Sequence, residues 1–364
     1  MGTVKGFAML KIGSVGWIEK DEKELTPLGP RDAYCRPVVV APCTSDLHTV
    51  YEGGIGERHD MFLGHESVAE ILEVGKDVKD FKPGDIVIVP AITPDWGTIN
   101  AQRGFAQHSG RLLSDALGGW KFSNFKDGVF ASKFHVNDVD ANVAKVPEGV
   151  DIEDAVILTD MVTTGFHCAE NAEIKHGESV AVIGLGPVGL MATAGANLMG
   201  ASHIYAVDAV DDRYEIAHKH YGATHYVNFK NAPFQEQIIE LTKGVGVDKV
   251  LVAGGDLTTI GAACDCLKNG GIVSNVNYLG KGEFITIPRL SWNVGMGHKT
   301  IKGGLTPGGR YRMETLASLL QTKKLNVRPL MTNRLSGFSE IETALAIMKD
   351  KPKGLIKPTV KITW

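Results

Sequence analysis

The pattern of apolar and polar positions changes character near residue 164. Before it, short β-branched runs such as Pro37-Val38-Val39-Val40-Ala41 and Asp85-Ile86-Val87-Ile88-Val89-Pro90 are bounded by Gly, Pro and Asp. They predict a β-rich region with long loops. Residues 93–127 show no period and are rich in Gly, Trp, Asn and Ser, as expected of a loop with a functional or assembly role. After residue 164 the pattern becomes regular. Ser179–Gly184, His203–Asp208, Tyr226–Phe229, Lys249–Ala253 and Gly271–Val276 read as strands. Pro187–Met199, Asp212–Tyr221, Phe234–Lys243 and Thr258–Leu267 read as helices between them. Such alternation predicts βαβ units around a parallel sheet. From Lys302 the text is mixed again, with helices at Met313–Gln321 and Glu340–Met348 and a final β-like Pro358–Ile362. The expected layout is α/β: a doubly wound, nucleotide-binding domain over 164–305, inserted between the 1–163 and 306–364 parts of a β-rich domain.

Between Ser179 and Val207 there is no Asp, Glu, Lys or Arg, a stretch long enough to span a bilayer. Yet Gly184, Gly186, Pro187 and Gly189 crowd its start, directly after Val180-Ala181-Val182-Ile183. A buried strand, a glycine turn and a helix account for this better than a membrane span.

The chain has 364 residues, which suggests about two domains. Its charge sums to −4 with no basic block, so no electrostatic footprint for nucleic acid or an anionic membrane is written. Five scattered cysteines form no disulfide framework. Met1–Gly13 lacks an apolar signal core, and a reduced, cytoplasmic setting is expected.

Gly184-Leu185-Gly186-Pro187-Val188-Gly189 matches G-x-G-x-x-G between a predicted strand and helix. Asp208 ends the next strand, 19 residues past Gly189. The glycines would let the backbone approach a pyrophosphate at a helix N-terminus, and Asp208 would accept from the adenosine ribose hydroxyls. A carboxylate there would repel a 2′-phosphate, which favours NAD over NADP; Asp211 and Asp212 add negative charge, while Arg213 opposes it.

Cys43-Thr44-Ser45-Asp46-Leu47-His48 and Gly64-His65-Glu66 offer zinc-type ligands, and a catalytic zinc takes three from the protein. A lone cysteine can equally be a small buried hydrophobe and a lone histidine a hydrogen-bonded one. Spacing alone does not join them.

Together with the mid-chain glycine turn, these two motifs resemble the zinc-dependent medium-chain alcohol dehydrogenases over nearly the whole chain. The likeness is closest to the bacterial and protozoan secondary-alcohol (2-propanol) enzymes, through Ala91-Ile92-Thr93-Pro94-Asp95-Trp96, Gly119-Trp120-Lys121-Phe122-Ser123-Asn124, Asp160-Met161-Val162-Thr163-Thr164-Gly165-Phe166-His167 and Val276-Asn277-Tyr278. The resemblance implies a Rossmann domain inserted into a GroES-like catalytic domain. It implies one catalytic zinc per chain held by Cys43, His65 and Asp160, with Glu66 similar to the residue that joins the metal when substrate is absent. A divalent cation with Cys43 and Asp160 ionised sums to zero, and a bound alkoxide is offset by the nicotinamide ring, so Glu66 would leave one surplus negative charge and its release on substrate binding is expected. The metal would act as a Lewis acid on the substrate oxygen, with hydride passing to the nicotinamide. By the same likeness Ser45 hydrogen-bonds the substrate oxygen and relays its proton through the cofactor ribose to His48. Ala91, Ile92, Trp120, Tyr278 and Leu305 would line a small apolar pocket suited to a short secondary alcohol or methyl ketone. Arg213, Val276, Asn277, Tyr278 and Lys351 would join the glycine turn and Asp208 in holding the cofactor. The resemblance implies a homo-tetramer, with a dimer left open.

The sequence also departs from the family pattern. No cysteine cluster for a structural zinc lies between residues 86 and 120, and Ala69 stands where a glycine is usual, so a local change of turn is expected. Arg111–Leu117 reads about four residues longer than in the 2-propanol enzymes. NADP-using relatives carry Gly-Ser-Arg at the position of Asp208 and a tyrosine at Phe229, and both phosphate-holding groups are missing here. Two alternatives stay open: a polyol, butanediol or threonine dehydrogenase on the same scaffold, and a zinc-free dinucleotide-binding sensor.

Overall fold

The computed structural model describes residues 2–109 and 116–364, so the expected lengthening over 111–117 falls mostly outside the described residues. The chain divides into two units, Met1–Thr163 with Pro307–Trp364, and Thr164–Thr306.

In the first unit a seven-stranded sheet runs in the order Met331–Ser336, Lys357–Lys361, Ala33–Val40, Ser67–Val74, Ile86–Val89 and Ala144–Lys145, with Phe134–Val136 also paired to Ala33–Val40. Pairing is antiparallel except between Met331–Ser336 and Lys357–Lys361. Ser14–Asp21, Thr3–Lys11 and Met61–Phe62 form a smaller antiparallel sheet. Alternate strand residues meet in a core that includes Phe7, Cys35, Ile71, Val87, Phe122, Phe130, Phe134 and Val360, the two-residue period expected of half-buried strands. Ala69 lies inside Ser67–Val74, opposite Pro37 and Val87. The expected change of turn is therefore corrected: the position is plain strand, where a Cβ is welcome. The residue that needs glycine is Gly64, at φ 85, where an added Cβ would sit 2.3 Å from the Phe130 ring.

The second unit holds a six-stranded, all-parallel sheet ordered His225–Asn228, His203–Asp208, Ser179–Ile183, Val247–Val252, Leu267–Asn275 and Thr300–Gly303. This is the 3-2-1-4-5-6 order of the doubly wound fold. Helices Pro187–Leu198 and Asp211–Tyr221 pack on each other, as do Phe234–Leu241 and Thr259–Asp265. Val182, Val207, Val250 and Val273 are fully buried, as strands covered on both faces must be. The strand predicted from Gly271 begins earlier, at Leu267. Leu267 pairs with Val247 and regular pairing resumes only at Ile272, so a bulge hides that start from a period-two reading. No helix among the described residues is long and apolar enough to cross a membrane.

Candidate functional site

Three separated segments of the first unit bring their side chains together. Cys43 sits in extended backbone before the short helix Thr44–Leu47. Asp46, one turn on, accepts the Cys43 N–H at 2.9 Å through Oδ2 and meets His65 Nδ1 at 3.1 Å through Oδ1. That contact makes Nδ1 the donor and turns the Nε2 lone pair towards the cluster, where Ser45 Oγ is its neighbour. His65 and Glu66 follow the Gly64 turn, and Asp160 ends the 3-10 turn Val156–Thr159.

One ligand atom each from Cys43, His65, Glu66 and Asp160 lies within 4.8 Å of all the others. Cys43 Sγ and His65 Nε2 are each 3.6 Å from Asp160 Oδ2. A tetrahedral zinc with bonds of about 2.0–2.3 Å spaces its ligand atoms about 3.3–3.8 Å apart, so these residues fit the ion. Charge points the same way. Burial disfavours an imidazolium, yet Asp46, Asp160 and Cys43 hold His65 well above its ordinary range. Surroundings that favour a proton this strongly favour any cation at Nε2.

Glu66 is fully buried and ion-paired with Lys357, itself without exposure. Burial pushes the Glu66 carboxyl up to about 7, with Lys357 opposing and Asp160 reinforcing the rise. Lys357 is raised despite its burial, because Glu66, Cys43 and Asp160 surround it. Its positive charge corrects the expected balance: with Lys357 counted, a divalent cation with all three anionic ligands sums to zero. Charge alone therefore does not expel Glu66.

Ser45 Oγ lies 3.2 Å from His65 Nε2, beside the cluster. His48, half-buried, pairs with Glu52 at 2.9 Å. Ala91 and Ile92 are buried. The Ala91 N–H donates to the Thr159 carbonyl and that of Thr93 to Gly119, fixing this segment to the neighbours of Asp160 and Trp120. The Trp120 ring stands edge-on to His65 at 5.5 Å, and its buried Nε1 has no protein partner. Tyr278 and Leu305 belong to the second unit, the former about half exposed.

In the second unit the G-x-G-x-x-G turn follows Ser179–Ile183, at the carboxyl end of the sheet. Gly184 has φ 83 and abuts Gly254, and a Cβ on Gly189 would come within 1.7 Å of the Gly184 carbonyl oxygen. A Cβ on Gly186 would meet nothing within 4 Å, so that glycine leaves a cradle open to an outside group at the start of helix Pro187–Leu198. Asp208 is buried, and its carboxylate accepts from the N–H groups of Leu185, Ala209 and Val210 at 2.7, 2.7 and 3.0 Å. Arg213 reaches within 3.6 Å of it. Val276 donates to the Val252 carbonyl and Asn277 to that of Gly255, at the same end of the sheet. Lys351 lies in the first unit, at φ 47 after helix Glu340–Asp350.

Asp46 and Lys357 were not among the sequence-predicted site residues. Asp46 stands inside the Cys43–His48 motif, where its capping spacing could have singled it out. Lys357 gives no sequence signal, standing 291 residues from Glu66.

Residues 29–148 match the alcohol dehydrogenase GroES-like domain family and residues 187–322 the zinc-binding dehydrogenase family. An NADP-dependent isopropanol dehydrogenase of Entamoeba histolytica is 58% identical over 100% of this chain and 97% of its own. That of Thermoanaerobacter brockii is 57% identical over 98% and 99%. Among solved structures, zinc-dependent alcohol dehydrogenase 2 from Streptococcus pneumonia in its apo form superposes with a TM-score of 0.86 at 26% identity, covering 99% of each chain. On this full-length similarity the chain belongs to the zinc-dependent alcohol dehydrogenases.

Proposed function

We propose that the protein interconverts small secondary alcohols and methyl ketones with a nicotinamide cofactor. The observation that carries this reading is the set of Cys43, His65, Asp160 and Glu66 at zinc-ligand spacing, with His65 and Glu66 buried and Cys43 and Asp160 half-buried. Relatives named isopropanol dehydrogenases support the substrate class. When bound, zinc would supply Lewis acidity at the substrate oxygen and the nicotinamide a hydride acceptor. Cys43, His65 and Asp160 would hold the metal, and Asp46 fixes the His65 ring. Ser45 Oγ, close to His65 Nε2, would accept the hydroxyl proton and relay it through the cofactor ribose to His48, beside Glu52, which would exchange it with solvent. Ala91, Ile92 and Trp120 restrict the substrate by size, though apolar walls discriminate by only about 1–3 kcal/mol per methylene.

The cofactor reading favours NAD. The two relatives cited are named NADP-dependent, but the Asp208 carboxylate would face a 2′-phosphate with like charge, and Phe229 offers no hydroxyl. Asp208 keeps acceptor capacity for a ribose hydroxyl beyond its three backbone contacts. Five free cysteines fit a reducing, cytoplasmic setting. Phe284, Leu290 and Met296, each strongly exposed, support self-association, with four chains as the expected assembly by sedimentation.

Steady-state rates with 2-propanol, 2-butanol, 2,3-butanediol and threonine, each with NAD and NADP and with a chelator, test the reading. Preference for the simple alcohols, a lower KM for NAD and loss of activity with metal are expected. Equal or better use of NADP overturns the cofactor preference, and chelator-resistant activity overturns the metal.

A further inference from the structure

We propose that Lys357 is a positioning residue whose ammonium holds Glu66 back from closing the open position of the metal site. The proposal rests on the zinc reading above. Lys357 opens the strand Lys357–Lys361, which is paired on both sides, to Met331–Ser336 and to Ala33–Val40. Its backbone is thereby fixed. Its Nζ bonds Glu66 Oε1, and that same oxygen lies 4.0 Å from His65 Nε2, on the side of the ligand cluster. Glu66 Oε2 is buried without a protein partner. Lysine and metal therefore draw on the same carboxylate, and the oxygen that Lys357 holds is the one measured 4.0 Å from His65 Nε2.

A fully buried lysine occurs almost only when paired, and here the pair is placed where it tunes a ligand. With Lys357 in position, Glu66 has a charge partner whether or not it touches the metal. Without it, no lysine or arginine among the described residues is paired with the buried carboxylate, so the metal is left as its cation, and that attraction is strong in a low-dielectric site. Glu66 would then be a permanent ligand.

The test is Lys357→Met, read without turnover. Zinc release to a chromogenic chelator is expected to slow about tenfold, the lower end of what outer-shell changes do to metal affinity. In cobalt-substituted protein the visible band is expected to stop responding to added imidazole, whereas the band of the unsubstituted chain responds. The double variant Glu66→Gln/Lys357→Met is expected to restore both properties. Unchanged or faster zinc release in Lys357→Met, with the imidazole response kept, overturns the proposal. If Lys357→Met does not fold, Lys357→Gln, which keeps a donor without the charge, carries the same comparison. Failure of the unsubstituted chain to bind zinc or cobalt would instead overturn the zinc reading itself.

Discussion

Asp46 does two jobs with one carboxylate, since one oxygen orients His65 and the other pins the backbone of Cys43. Removing it as Asp46→Ala frees two ligands at once, and zinc affinity is expected to fall about 10–100-fold, measured by chelator competition. Unchanged affinity would refute that positioning role. Gly64 matters in another way. At φ 85, with the Phe130 ring in the path of a Cβ, Gly64→Ala combines backbone strain with overpacking. A loss of about 2–4 kcal/mol is expected in urea unfolding. Cys43, His65 and Asp160 were reached through the resemblance their motifs carry, since spacing alone does not join them, and the fold brings their side chains together. Lys357 was not reached. A lysine at a strand start reads as a surface residue, the predicted strand began one residue after it, and only tertiary structure brings it to Glu66. Ala69 failed for the opposite reason: a family habit suggested a turn where the chain's own β-branched neighbours continue a strand.

At the level of elements, a polar chain through the buried Lys126 and His135 ties the start of strand Ala33–Val40, the loop at Lys126 and strand Phe134–Val136 of the first unit. Asp32 Oδ2 meets His135 Nε2 at 3.0 Å, His135 Nδ1 meets Lys126 Nζ at 3.2 Å, and Lys126 reaches Asn137 Oδ1 at 3.0 Å. Asn137 in turn donates to the Thr93 carbonyl, directly after Ala91 and Ile92, the residues proposed to line the pocket. Burial lowers the Lys126 ammonium to about 7, with Lys121 adding to the effect. Between about pH 7 and the ordinary lysine value of 10.5, the unfolded chain binds a proton that the folded chain has released. Stability therefore rises with pH across that window. From pH 7 to 9 the gain is about 2 kcal/mol, and Lys126→Met is expected to abolish it. Urea midpoints of both proteins at the two pH values check this, and parallel pH slopes would refute it. Asp32 acts at the other end of the scale. Burial would raise its carboxyl, but His135 and the N–H groups of Asp138 and Gly29 outweigh this and hold it near about 2. Its contribution is complete above the ordinary carboxylate value and is lost as pH falls towards 2.

Across the whole molecule the two candidate ligands belong to different units, the metal cluster to the first and the glycine turn to the second. A chain of two units need not unfold in one step, and each ligand stabilises only the state that binds it. At a hundred times its Kd a ligand adds about 2.7 kcal/mol, enough to see by scanning calorimetry. NAD is expected to raise a transition and a chelator to lower one. The variants separate the two responses. Asp208→Gly removes the acceptor of three N–H groups, including that of Leu185 inside the glycine turn, so it should lose the NAD response and keep the chelator response. Asp46→Ala should do the reverse. A full NAD shift surviving in Asp208→Gly would mean that this carboxylate neither shapes the turn nor meets the ribose. A larger shift with NADP than with NAD in the unsubstituted chain would mean that the space beside Asp208 welcomes a phosphate despite the carboxylate, with Arg213, 3.6 Å away, as the side chain able to receive it.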